Sequence, residues 1–222
     1  MPHQYRGEPY QHREVSQSDG AKQLKDDLEI ARQRRSIRHF SDQTVPREMI
    51  EDIIRIAATA PSGANKQPWY FVAISSKYIK RQIREAAENE EKTFYETKIT
   101  PEWRADLKHL GTDFVKEHIT DAPWLIVVFR QDYELTETGE RKKNYYMTES
   151  VGIAVGFLIQ ALHRAGLCTL THTPAPMTFL RDICKRPLNE KPFVILPVGY
   201  PAEDCEVPVI TKKSLEEVSD FL

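Results

Sequence analysis

Residues 34–40 read RRSIRHF and residues 61–69 read PSGANKQPW. Between them, VPREMIEDIIRIAATA (45–60) has helical spacing, with Met49, Ile50, Ile53, Ile54 and Ala57 on one face. Pro46 suits the first helical position and Pro61 follows the helix end. One helix thus separates two loops. Arg34, Arg35 and Arg38 put three cations within five residues. Arginine is planar, permanently charged and suited to bidentate contact with phosphate or with a carbonyl-bearing ring edge. The Ser36 hydroxyl adds a donor. In Pro61-Ser62-Gly63-Ala64, Gly63 permits close approach, so backbone N–H groups can point at a ligand. A basic helix end suited to the helix dipole, followed by an ordinary loop, explains the same residues.

Composition bounds the function. The chain has 222 residues, 40% hydrophobic and 29% charged. That length fits one domain burying roughly 70% of its unfolded surface. A formal charge of −2 argues against a nucleic-acid binder that depends on a broad basic face. Cys168, Cys184 and Cys205 are scattered, with no metal-ligand spacing, so they read as reduced thiols and no metal is expected. The N-terminus lacks a signal-peptide core, and the best apolar run, Val151 to Ile159, is too short to span a membrane. A cytoplasmic protein without a membrane partner is expected.

Outward from the opening stretch, residues 1–20 read as a flexible arm and residues 21–222 as a single domain. Leu24, Leu28 and Ala31 mark an amphipathic helix over 21–33 that delivers Arg34. Trp69 to Ile74 is a strand rich in aromatic and branched residues. Asn65 and Gln67, in the loop before it, can bond a ligand's ring edge or backbone alike. Residues 77–97 are a charged helix. Residues 101–119 read as a second helix, opened by Pro101, with Trp103, Leu107, Leu110 and Phe114 on one side. Together, about 77–119 form a helical hairpin, either a lid or a plain surface element. Trp124 to Phe129 reads as a buried strand and 131–142 as a polar loop. Asn144 to Ala165 reads as the longest helix, apolar around most of its girth, with Gly166 as its stop. Gly152 and Gly156 leave room for a close neighbour, such as the same helix of a second subunit. Leu167 to Thr171 and Phe193 to Tyr200 are further strands, with a short helix over 177–185 between them. The tail 208–222 carries Lys212, Lys213 and a Ser214/Glu217 capping box for a terminal helix. It has no core of its own and can reach a partner. No GxGxxG follows a strand, which excludes a Rossmann dinucleotide site.

RRSIRHFSDQTVP followed by ATAPSGANKQPWYFV resembles the opening of the nitroreductase-like flavoprotein family, and within it the iodotyrosine deiodinase branch. The resemblance runs over about 21–222. It implies an α+β nitroreductase-type fold, with a central mixed sheet flanked by helices in an intertwined homodimer. It implies FMN as cofactor, bound by Arg34, Arg35, Ser36, Arg38, Pro61, Ser62, Gly63, Thr171, Thr173 and Lys213. Ser62 and Gly63 would come from the other subunit. Arg38 would meet the flavin edge that gains negative charge on reduction. At Lys213 mammalian members carry Arg, so the charge is kept and the bidentate fork is lost.

The resemblance makes Thr173 the catalytic residue, its hydroxyl donating to flavin N5 and opening single-electron steps. On the residues alone, threonines in THTP (171–174) equally suit a strand end. His172 is a tempting acid near neutral pH, yet that position is usually Thr in the family and carries no implied role. Glu91 and Tyr95 share a helix face at i, i+4. With Lys116 they would bind an amino-acid zwitterion, Glu91 on the ammonium, Lys116 and Tyr95 on the carboxylate. Without the resemblance the three read as a solvated helix face. Trp103 would cover the ring or sit in the core. The Ala64 N–H would meet a substrate phenolate, which a halogenated phenol forms more readily than tyrosine.

The implied activity is reductive dehalogenation of mono- and diiodotyrosine to tyrosine and halide, with NAD(P)H or a separate reductase as electron source. The alternatives are an NAD(P)H-dependent nitro or quinone reductase of the same family, and a non-catalytic flavin-binding protein.

Overall fold

The structure, a computed structural model, describes residues 6–222. It divides into two units, the first ending at Arg34 and the second spanning Arg35–Leu222, whereas the sequence suggests a break after residue 20. In the first unit, helix α1 spans Gln17–Gln33. It begins earlier than the apolar spacing suggests because Ser16 caps it, accepting from the Asp19 N–H. It buries no residue of its own.

The second unit is built on a four-stranded sheet ordered β1-β2-β6-β5. The strands are β1 Trp69–Ile74, β2 Trp124–Gln131, β5 Cys168–Thr169 and β6 Glu190–Gly199. Their ladders are antiparallel, and a parallel bridge between Ser36 and Thr169 makes the sheet mixed. Strand β2 is buried along its centre because both sheet faces are covered. Alternate side chains serve each face. Ile126 and Val128 pack with Ile50 and Ile53 of α2 (Arg47–Ala58) and with Val151, Ala154 and Leu158 of α6 (Met147–Arg164). Leu125, Val127 and Phe129 pack with Ile83 and Ala87 of α3 (Lys77–Thr97), and with Leu180 of α7 (Phe179–Ile183). This two-faced arrangement is the expected nitroreductase-type α+β architecture.

Helix α6 starts three residues later than expected. Tyr146 is left-handed, with φ 47°, and the buried Asn144 donates to the Gln131 carbonyl at 2.9 Å instead of continuing the helix. At the other end, Gly166 (φ +75°) donates to His163 and Leu167 to Leu162, the paired bonds of a Schellman stop. Helix α3, with 21 residues, is longer than α6, with 18. Its buried residues, Lys80, Ile83 and Ala87, all lie in its first half. Lys80 Nζ donates to the Thr120 and Ala122 carbonyls, tying that half to the entry of β2.

Three expectations need correction. Residues 101–119 are not one helix: α4 spans Pro101–Lys108, and α5 spans His118–Asp121. Gly111 turns left-handed (φ +60°), and the Asp113 carboxylate accepts the Val115 N–H, so local turns win over helix between them. The loop 131–142 contains a hairpin, β3 Tyr133–Leu135 and β4 Arg141–Lys143, closed around Gly139 at φ +80°. The tail forms a turn instead of a terminal helix. Glu217 accepts the Ser214 N–H at 2.7 Å, but the turn does not propagate. No helix among the described residues is long and apolar enough to cross a membrane.

Candidate active site

A cavity of about 230 Å³ opens beside the end of the sheet. Phe94, Tyr95, Trp103, Leu107 and Leu110 from the hairpin give it an apolar wall. Arg38, Glu91, Lys116, His118 and the segment 170–175 supply the polar wall. Three of the four proposed substrate ligands, Glu91, Tyr95 and Lys116, therefore meet, and Ala64 does not join them. Glu91 Oε2 and Lys116 Nζ form an ion pair of 2.7 Å. Lys116 also lies 5.9 Å from the Tyr95 ring centroid. Tyr95 donates to the Thr112 carbonyl at 3.4 Å. Phe94 and Trp103 stack edge to face at 4.8 Å, which makes Trp103 part of the wall although half exposed.

The electrostatics follow from burial. Burial alone would raise the Glu91 carboxyl. Hydrogen bonds from His172 and Lys116, and their charges, outweigh it and hold the group below the usual carboxylate range. Burial pushes the Tyr95 phenol up, and the Glu91 and Asp113 charges add to this, so it remains a protonated donor.

Of the proposed cofactor ligands, Arg38, Thr171 and Thr173 line this cavity. Ser36 sits just behind it, bridged to Thr169. Arg35 donates one N–H to the Pro208 carbonyl of the tail. Arg34 ends the first unit, its N–H on the Ala31 carbonyl at 3.2 Å. Lys213 is exposed and does not line the cavity.

Pro61, Ser62, Gly63 and Ala64 also lie off the cavity. The Gly63 N–H is spent on Ser150 Oγ at 3.3 Å. A Cβ at Gly63 would meet Tyr146 at 2.9 Å and the Tyr145 carbonyl at 3.0 Å, so the close approach there is to the chain itself. The turn is held in an uncommon shape. Ala64, Asn65 and Gln67 all have φ near +50°, a region non-glycine residues seldom adopt outside sites where the surroundings enforce it. Ser62 Oγ accepts the Gln67 N–H at 2.9 Å across it.

Residues 31–200 match the model of the nitroreductase family. An iodotyrosine deiodinase of Haliscomenobacter hydrossis is 53% identical over 180 residues, 81% of each chain. The chain belongs to the nitroreductase family, in its iodotyrosine deiodinase branch. The Hydra vulgaris iodotyrosine deiodinase is 43% identical over 95% of this chain and 78% of its own. A crystal structure of oxidised iodotyrosine deiodinase with FMN and 3-iodo-L-tyrosine superposes with a TM-score of 0.74 at 30% identity. That match covers 88% of this chain and all of the other.

The sequence reading gives no role to two site residues of this nitroreductase-family chain: His172, considered there only as an acid, and His118. His172 Nε2 lies 2.7 Å from Glu91 Oε1. His118 stacks on His172 edge to face at 5.1 Å between ring centroids. Both rings are buried. His172 lay in the quoted THTP segment, but its partner is 81 residues away in sequence. His118 had no local signal beyond its place two residues after Lys116.

Proposed function

We propose that the protein is an FMN-dependent reductive dehalogenase of halogenated tyrosines, releasing tyrosine and halide. The buried Glu91–Lys116 pair, set against an aromatic wall, carries this reading. An acid and a base side by side fit a zwitterion, and the wall fits its aromatic ring. Glu91 takes the substrate ammonium, while Lys116 and Tyr95 take the carboxylate. Trp103 and Phe94 shield the ring from water.

The donor set fits FMN. Arg38, Thr171 and Thr173 offer N–H and O–H groups at the cavity. Arg35 has five N–H donors in its fork and one bond inside the chain, which leaves donors for a phosphate. Arg34, Ser36 and Lys213 complete the proposed phosphate contacts. Reduced FMN, when bound, supplies the two electrons that, with one proton, convert a ring carbon–iodine bond to carbon–hydrogen and free iodide. Thr173 would donate a hydrogen bond to the flavin ring, and Arg38 would stabilise negative charge on it, worth most in a dry site.

A homodimer is part of the reading. Ile153 and Phe157 of α6 are exposed, and Gly152 and Gly156 beside them face open space. Val209, Leu215, Val218 and Phe221 of the tail are exposed as well. Two such chains would bury these faces and bring Pro61, Ser62, Gly63 and Ala64 of one protomer to the cavity of the other. The Ala64 N–H would then hold the substrate phenolate. NAD(P)H or a separate reductase supplies the electrons, and residues 77–119 act as the lid.

The test is anaerobic. Holoenzyme reduced with dithionite is mixed with 3,5-diiodotyrosine, and the oxidised flavin band and iodide are followed. One iodide per flavin reoxidised is expected. Flavin that stays reduced would falsify the dehalogenase reading, and reoxidation by nitroaromatics alone would favour the general reductase.

A further inference from the structure

We infer that His172 is a positioning residue for Glu91, latching the outer half of α3 to the central sheet through one carboxylate oxygen and leaving the other for a substrate ammonium. The substrate in this inference rests on the halotyrosine reading; the latch rests on geometry alone.

The backbone of His172 is fixed. Its N–H and its carbonyl both pair with Ile195 of β6, at 2.9 Å each. Its side chain reaches from that anchor to α3, with Nε2 2.7 Å from Glu91 Oε1. Glu91 is held in its ionised form and can only accept, so Nε2 carries the proton. Nδ1 is buried without a partner, and the ring packs edge to face on His118. Among the described residues, the one hydrogen bond or ion pair of residues 88–97 that reaches beyond residues 84–116 runs from Glu91 to His172. Among those residues, the outer half of α3 meets the sheet's polar framework through this side chain.

The two oxygens of Glu91 have different partners, Oε1 on His172 and Oε2 on Lys116. An arriving zwitterion can take Lys116 with its carboxylate and Oε2 with its ammonium while Oε1 stays on His172. The carboxylate then keeps its place through the exchange, and its ordering cost is already met.

The test titrates oxidised holoenzyme with 3,5-diiodotyrosine by flavin fluorescence. His172→Leu should weaken binding about tenfold, as expected for losing a hydrogen bond to a charged group, and raise KM more than it lowers kcat. His172→Gln, which keeps an amide donor, should recover most of the affinity. An unaltered KM in His172→Leu, or no recovery in His172→Gln, overturns the inference. If wild type binds no diiodotyrosine, the halotyrosine reading fails and the latch is still tested. Amide hydrogen exchange of residues 88–97, followed without substrate, should quicken in His172→Leu and return toward wild type in His172→Gln. Exchange that His172→Leu leaves unchanged overturns the latch.

Discussion

Glu91 Oε2 and Lys116 Nζ lie 2.7 Å apart, with side chains only 14% and 5% exposed. The two groups that would hold a zwitterion hold each other. The cavity's opposite charges are thus paired, and a ligand must offer both signs to replace the pair. An amino acid does so; a simple nitroaromatic does not.

That pair gives the first prediction. Removing one partner strands a buried charge, at a cost of about 3–5 kcal/mol. Glu91→Gln and Lys116→Met should each destabilise the protein by about that much and weaken halotyrosine binding at least 100-fold. The double variant should regain most of the stability without regaining binding. Urea melts and ligand titrations measure the two effects, and nitroaromatic turnover should survive in all three.

Acid should destabilise the fold in two stages. Burial, aided by the charges of His172, Lys116, Arg38 and Arg84, holds His118 down at about 3 from an ordinary 6.5. Between those values the unfolded chain binds a proton that the folded chain refuses. Stability is therefore full above about pH 6.5 and falls as pH drops toward 3. The slope is at most about 1.4 kcal/mol per pH unit for one group. Glu91, whose ordinary value is 4.5, is held lower in the fold, so its contribution is present above 4.5 and lost below it. His118→Leu should flatten the upper stage and Glu91→Gln the lower. Melts across pH 3 to 8 would show no such separation if the assignment were wrong.

A third prediction concerns α6. Cβ atoms at Gly152 and Gly156 would meet nothing within 4 Å in one protomer. Alanine there should stabilise an isolated protomer by about 0.5–1 kcal/mol through helix propensity alone. In the proposed dimer the same methyl groups sit in the seam and should loosen it. Sedimentation of Gly152→Ala/Gly156→Ala should show a dimer that dissociates at higher concentration than wild type. Tighter association would count against this face as the seam.

Thr173→Ala removes a donor at the cavity wall without touching a buried side chain, since Thr173 is exposed. Losing one preorganised donor commonly costs about 100-fold in kcat. Dehalogenation should fall by about that factor, while halotyrosine affinity and melting temperature stay near wild type. A matching loss of affinity would make Thr173 a substrate ligand instead.

Much of this was legible from residue order, and the reasons are physical. Strand β1 matched its expected bounds because Trp69 to Ile74 is a compact run of aromatic and branched residues between turns. The Gly166 stop was legible because a left-handed Schellman position favours glycine. The hairpin after α3 misled because Leu107, Leu110 and Phe114 keep helical spacing across Gly111, where the backbone turns away. The resemblance supplied Glu91, Tyr95 and Lys116, which spacing alone leaves on a solvated face. His118 stayed hidden and His172 kept no role because their partners arrive through tertiary contact, and a lone histidine reveals nothing of the ring stacked on it.

The uneven anchoring of α3 has a mechanical meaning. Its buried residues end at Ala87, and the helix runs on to Thr97. At 1.5 Å rise per residue, that leaves about 15 Å of rod projecting past its last buried residue. A tilt of about 10° at Ala87 would swing the tip through about 2.6 Å by the same geometry, carrying the Phe94–Trp103 wall with it. Glu91 sits about 6 Å beyond Ala87, so its hydrogen bond to His172 would be displaced by about 1 Å in the same tilt. Admission of a bulky ring thus loads the His172 bond as the tip clears, and that one bond sets the stiffness of the entrance.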